Sequence, residues 1–170
     1  MMMEANISAL LLTTEAELRY FSGFLTQFWQ SPTRPWFLIL PQAGKPVAVI
    51  PEIGAECMSR TWLDDIRTWR SPNPDDDGVS LVIDALRGAV GNGPCFGISM
   101  GAETHIRMPL LDFEKVTRIL ALEIADATPI LRKLRMIKSE AEIEKIGHIC
   151  SIVSDVFDAM PDWLKVDMPL

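Results

Sequence analysis

Short apolar runs alternate with stretches of helical periodicity along most of this chain, and this alternation constrains the fold more than any other feature. Residues 79–90 and 110–120 carry apolar side chains at the three- and four-residue spacing of an amphipathic helix. Buried strands are predicted at residues 7–12, 36–40, 47–50, 66–70, 95–98 and 122–125. Strands that alternate with helices build a layered α/β structure, so we predict a mixed sheet with helices on both faces.

Turn and capping residues predict where these helices and strands begin and end. Thr14 and Glu17 have the spacing of a capping box, which predicts a short helix that ends at Ser22 and Gly23. The turn residues at 41–44 join two apolar strands and predict a hairpin. Residues 52–60 are predicted to be helical, and residues 71–78, with their prolines and aspartates, to form a surface loop.

A long amphipathic helix is predicted near the end of the chain. Ser139 and Glu142 form a second capping box, and Pro161 is expected to end the helix after Met160. Its apolar face consists of Ile143, Ile146, Cys150, Val153 and Phe157. Such a face needs a partner surface, so we divide the chain into an α/β domain at residues 1–131 and a connector helix at residues 132–170.

Composition narrows the functional classes. The 170 residues are 48% hydrophobic, enough for a core, and contain no apolar run long enough to span a membrane. The net charge of -7 argues against a nucleic-acid partner, because phosphate binding needs a basic surface. The three widely spaced cysteines fit no zinc or redox motif, and the N-terminus lacks a leader pattern, so a cytoplasmic location with reduced thiols is expected.

The residues offer little chemistry of their own, and no catalytic or metal site is predicted. Glu144 and His148 could share a metal ion at their i,i+4 spacing, but a solvated pair on the helix is the favoured interpretation. Residues 75–77 are three aspartates that lack the ligand order of a calcium loop and suit a solvated loop better. The glycines at residues 88–101 lack the Gly-Lys-Ser/Thr of a phosphate loop and are interpreted as turns.

Phe28, Trp29 and Arg34 are the candidate substrate-binding residues. They lie in a predicted loop at residues 24–35, where aromatic rings and a guanidinium could contact a substrate or a partner subunit. The alternative, which we favour slightly, is that the rings cover an edge of the sheet.

Two segments resemble the creatinase/prolidase N-terminal domain. Residues 10–24 contain a strand, a Thr cap, Arg19-Tyr20 and Gly23-Phe24, which is similar to the opening of that domain. Residues 135–143 read Arg-x-x-Lys-Ser-x-x-Glu-Ile, which resembles its junction with the catalytic domain. Weaker similarity at residues 34–41, 46–51 and 97–103 extends the resemblance over residues 7–156.

The resemblance implies a ribonuclease-H-like α/β fold without catalytic residues. In the family a second domain, with the pita-bread fold, holds two divalent metal ions such as Mn or Zn, which activate water for amide hydrolysis. The implied full-length protein is an Xaa-Pro dipeptidase, an aminopeptidase or a related amide hydrolase. It would act on a peptide or small amide as a homodimer, and this domain would help to form the dimer and the substrate pocket. We expect the 170-residue chain itself to be inactive; the alternative is a stand-alone interaction or regulatory module with the same fold.

Overall fold

A six-stranded mixed sheet forms the centre of the protein. The computed structural model describes residues 1–31 and 34–168. The strands follow the spatial order β4-β3-β2-β1-β5-β6, and β2 runs antiparallel to both of its neighbours, while the other pairs are parallel. Their bounds are β1 Ala9–Leu12, β2 Phe37–Pro41, β3 Val47–Pro51, β4 Asp65–Trp69, β5 Cys95–Ile98 and β6 Glu123–Asp126. The sheet confirms the mixed α/β fold predicted from the alternation of apolar runs and helical periodicity.

Helices cover both faces of the sheet. The helices of the described chain are α1 Glu15–Ser22, α2 Ala55–Met58, α3 Val79–Val90, α4 Leu110–Leu120, α5 Thr128–Met136 and α6 Glu140–Trp163, with 3-10 turns at Gln27–Gln30 and Glu52–Gly54, and those packed on the sheet are α1, α2 and α5 on one face and α3 and α4 on the other. Successive side chains of a strand point to opposite faces. In β1, Leu10 and Leu12 therefore join a core with Leu18 of α1, whereas Ala9 and Leu11 join the core beneath α3 and α4.

The helix predicted at residues 52–60 is shorter than expected. The chain forms a 3-10 turn and then only the single turn of α2. Gly54 lies where these two meet, and a Cβ atom there would come within 2.2 Å of the Trp36 ring. The backbone therefore passes directly against the indole, and this close approach requires glycine.

The chain divides into two compact units, Met1–Leu131 and Arg132–Leu170. In the second unit, α6 begins with the predicted capping box of Ser139 and Glu142. The prediction that Pro161 ends the helix was wrong, since α6 continues to Trp163 and the Leu164 N–H donates to the Met160 carbonyl at 3.0 Å. Proline lacks one backbone N–H donor, so one helical hydrogen bond is lost. Pro161 lies in the last turn of α6, where the loss of this bond does not stop the helix.

The α6 capping box is expected to weaken under acidic conditions. Ser139 donates to the Glu142 carboxylate from its N–H at 2.8 Å and from its hydroxyl at 2.7 Å, and the backbone hydrogen bond is the main reason that the pKa of Glu142 is lowered from the usual 4.5. A lowered pKa stabilises the folded helix above 4.5, and this contribution is lost as the pH falls through the folded-state pKa. An NMR titration of the Glu142 carboxyl carbon should give a value below 4.5, and Ser139→Ala should raise it. A titration at or above 4.5 in the unaltered chain would contradict the expectation.

Among the helices in the described part of the chain, none has both the length and the apolar content needed to span a bilayer.

Candidate functional site

Polar residues gather at one edge of the sheet, where the parallel strands end. Thr13 follows β1, Glu52 follows β3, Arg70 follows β4 and Ser99 follows β5. Because β2 is antiparallel, the residues that precede it, including Arg34, reach the same edge. The carboxyl ends of strands are the common position for ligands in open α/β sheets, so a ligand site is expected at this end of the sheet.

Trp29 is a core residue rather than an exposed ring. Its side chain is only 7% exposed, and its ring centroid lies 5.7 Å from that of Trp36, which is fully buried. The hypothesis of an exposed ring that contacts a substrate is therefore wrong for Trp29, whose burial is closer to the slightly favoured alternative of a ring that covers the sheet. Its role near a substrate remains a prediction, and any such role would be indirect.

Phe28 and Arg34 are half-buried and lie next to each other. The Arg34 guanidinium carbon is 5.9 Å from the Phe28 ring centroid, within range of a cation–π contact. Arg34 Nε also donates to the Ser71 hydroxyl at 3.2 Å. These contacts hold the guanidinium in place and use its Nε donor. The predicted loop at residues 24–35 also includes positions 32 and 33, which lie outside the described residues.

A cavity of about 350 Å³ lies beside Arg34. It is lined by Arg34, Arg70 and Ser71, together with Glu52 and Ile53. Within residues 1–31 and 34–168, no ion pair involves either arginine of this cavity. Guanidinium groups with unused N–H donors are suited to carboxylate and phosphate groups, and Glu52 adds a carboxylate that suits an amine.

Arg107 organises the segment that carries these residues. Its guanidinium donates to the Trp29 carbonyl at 2.8 Å, to the Arg34 carbonyl at 3.0 Å and to the Ser31 carbonyl. The guanidinium carbon also lies 5.1 Å from the Trp29 ring centroid. Burial lowers the pKa of Arg107, and the negative charge of Glu15 opposes this shift.

Sequence reasoning missed Arg107 altogether. It lies between β5 and α4, in a stretch without strand or helix periodicity, and it is separated from Trp29 by 78 positions. No local pattern could have indicated a contact over that distance in sequence.

Glu17 of α1 forms hydrogen bonds with residues at the carboxyl ends of β1 and β5. Its Oε2 accepts from the N–H groups of Thr13 and Thr14 at 3.1 Å each, and its Oε1 accepts from the Ser99 hydroxyl at 2.7 Å. The carboxylate therefore completes the capping box of α1 and joins it to the end of β5.

The remaining titratable candidates do not form a metal site. Within the part of the chain that the structure describes, no group of three or more His, Cys, Asp or Glu side chains could hold a metal ion. In the acidic loop, Asp76 accepts from the Ser80 N–H at 2.9 Å and Asp77 from the Asn73 N–H at 3.3 Å. These aspartates therefore organise the loop and the start of α3, and the described residues do not fit a two-metal centre.

The mixed sheet, with polar residues at the carboxyl ends of its parallel strands, places the protein in the α/β class. The family model for the creatinase/prolidase N-terminal domain matches residues 1–137, and the chain belongs to this family. The match confirms the resemblance inferred from the opening and junction motifs.

Individual relatives extend the comparison. The chain is 26% identical over 161 residues to a probable dipeptidase PepE of Mycobacterium tuberculosis, covering 95% of this chain and 40% of that protein. It is 28% identical over 178 residues to an agropine synthesis cyclase of Rhizobium rhizogenes, covering 99% of this chain and 42% of that protein. The crystal structure of dipeptidase PepE from Mycobacterium ulcerans superposes with a TM-score of 0.67 at 25% identity, covering 96% of this chain and 41% of that one. The chain thus spans about 40% of the length of these two curated relatives.

Proposed function

We propose that this chain is the non-catalytic N-terminal domain of a metal-dependent dipeptidase or related amide hydrolase. The observation that carries the proposal is the family match over residues 1–137, together with the similarity to PepE dipeptidases over nearly the whole chain. The hydrolytic centre, with two divalent metal ions, would belong to a catalytic domain that adjoins this one.

The substrate class is a peptide or small amide, and an Xaa-Pro dipeptide is the first one to test. The similarity to an agropine synthesis cyclase shows that relatives of this chain include a protein named for a different reaction. We therefore propose that this domain is a scaffold shared by relatives with different reactions, and that the catalytic domain determines which reaction takes place.

The exposed face of α6 supports contact with that catalytic domain. The apolar residues that are exposed on this helix include Ile143, Ile146, Ile149, Val153, Val156 and Phe157. A helix with so many exposed apolar side chains is suited to pack against another surface. We propose that its partner is the chain's own catalytic domain.

Phe28 and Arg34 support a role at the substrate pocket of a partner subunit in a homodimer. They are the partly exposed members of the predicted trio, and they lie at the sheet edge where ligands commonly bind. Arg34 would bind a negatively charged group of the substrate, and the Phe28 ring would hold the guanidinium in position through the cation–π contact. Trp29 would support both residues from the core.

The proposal is tested by comparing the 170-residue chain with the longer protein that includes the catalytic domain. With added manganese, we expect the longer protein to hydrolyse Xaa-Pro dipeptides and the 170-residue chain to show no activity and no stoichiometric metal. Hydrolysis by the short chain would overturn the assignment as a non-catalytic domain. A stop codon directly after the codon for Leu170 would favour the alternative, a stand-alone interaction or regulatory module with the same fold.

A further inference from the structure

Backbone carbonyls near Arg34 accept hydrogen bonds from the side chain of Arg107. The Arg107 guanidinium donates to the Trp29 carbonyl at 2.8 Å and to the Arg34 carbonyl at 3.0 Å. It also donates to the Ser31 carbonyl between them. A guanidinium has its donors fixed in a plane, so one arginine can bind several carbonyls at once, which an ammonium group on a flexible stem cannot reproduce.

Arg107 is itself held from two directions. Its N–H donates to the Thr13 hydroxyl at 3.0 Å, directly after β1, and its guanidinium lies over the buried ring of Trp29. Arg107 therefore connects the end of a central strand, through its backbone N–H, to the backbone on which Arg34 lies, through its guanidinium. A change at Arg107 reaches Arg34 through backbone atoms, without any contact between the two side chains being needed.

We infer that Arg107 is a positioning residue that sets the place and orientation of Arg34, and through it the affinity of the enzyme for its substrate. This inference rests on the proposed role of Arg34 at a substrate pocket. Arg107 has its guanidinium committed to backbone carbonyls, so it does not itself touch the substrate. The strength of a charge-assisted contact depends on the distance and angle between the two groups. A displacement of a contacting group by about 1 Å can lower the rate about 100-fold.

The decisive variant is Arg107→Lys, which keeps the positive charge and removes the planar set of donors. Arg118→Lys is the matched control, because Arg118 is exposed on α4 and has no recorded side-chain contact in the described chain. In the longer protein that includes the catalytic domain, Arg34→Ala is expected to raise KM at least tenfold, about the loss of one charge-assisted hydrogen bond. Arg107→Lys should raise KM about tenfold and change kcat by less than about twofold, whereas Arg118→Lys should leave both unchanged.

The double variant separates positioning from a general structural role. If Arg107 acts through Arg34, adding Arg107→Lys to Arg34→Ala should change KM by less than about twofold, because the group being positioned is already gone. Additive effects on KM, or an Arg107→Lys variant that behaves like Arg118→Lys, would overturn the inference. A fall in kcat as large as the rise in KM would also overturn it.

A measurement on the 170-residue chain separates this inference from the proposed function. Arg107→Lys should speed amide hydrogen exchange about tenfold or more in residues 28–31, while the strands exchange as before. If Arg34→Ala leaves KM unchanged, the role at the substrate pocket fails. The exchange data then decide separately whether Arg107 holds the segment, and unchanged exchange would refute that as well. Circular dichroism of each variant excludes loss of the fold as the cause.

Discussion

Replacing Trp36 by alanine is expected to lower the free energy of unfolding by about 3–5 kcal/mol, the largest effect of any single substitution considered. Trp36 is fully buried, with ring centroids of Phe24 at 5.2 Å and Trp29 at 5.7 Å. Removal of the indole leaves a cavity among side chains that are packed on every side, and the surrounding backbone can close it only partly. Urea unfolding of the 170-residue chain, followed by circular dichroism, measures the change.

Trp62 provides the matched control. Its side chain is 55% exposed, and its indole N–H donates to the Phe21 carbonyl at 2.9 Å. Trp62→Ala removes the same number of atoms but creates no buried cavity, so we expect a loss of no more than about 1.5 kcal/mol, the value of one hydrogen bond. Equal losses at the two positions would show that Trp36 is not the centre of this core.

The second large effect is expected at Glu17. Glu17→Ala removes the acceptor for the Thr13 N–H, the Thr14 N–H and the Ser99 hydroxyl, which lie partly or fully out of solvent. Unpaired donors in such places are costly, and we expect a loss of about 2–4 kcal/mol in the free energy of unfolding. Thermal and urea unfolding of the 170-residue chain measure this loss.

Two control variants define the cause of the Glu17 effect. Glu17→Gln keeps one oxygen for the backbone donors, and its amide can donate to the Ser99 hydroxyl, so this variant should retain most of the stability. Glu142→Ala breaks the equivalent capping box of α6, which lies at the protein surface, and should destabilise the protein much less. If Glu17→Gln is as damaging as Glu17→Ala, the charge of the carboxylate matters more than its acceptor geometry.

Patterns local in sequence predicted the elements of this protein well. The helices at residues 79–90 and 110–120 begin and end where their periodicity and flanking turns placed them, because each pattern is complete within one segment. The hairpin of β2 and β3 and both capping boxes were also found from neighbouring residues. The helix predicted at residues 52–60 is present only as the 3-10 turn Glu52–Gly54 and the single turn of α2, and the local pattern did not indicate this shorter length.

The candidate site shows the same limit more strongly. Phe28 and Arg34 were predicted to bind substrate because an aromatic ring and a guanidinium in a polar loop are suited to contact a ligand. Whether a ring in that loop turns outward depends on tertiary contacts, and Trp29 turns inward because Trp36 and Arg107 pack against it. Arg107 could not be found at all, since its partners follow from the arrangement of the sheet and not from any sequence spacing.

The buried tryptophans give each side of the sheet its own optical reporter. Trp29 and Trp36 belong to the core beneath α1, and Trp69 belongs to the core beneath α3 and α4. Phenylalanine at the other tryptophan positions, which leaves a smaller cavity than alanine, would give variants that keep only Trp69, or only the pair Trp29 and Trp36, so that fluorescence reports on a single layer. The order in which the two layers lose their packing can then be read directly as two emission signals during unfolding.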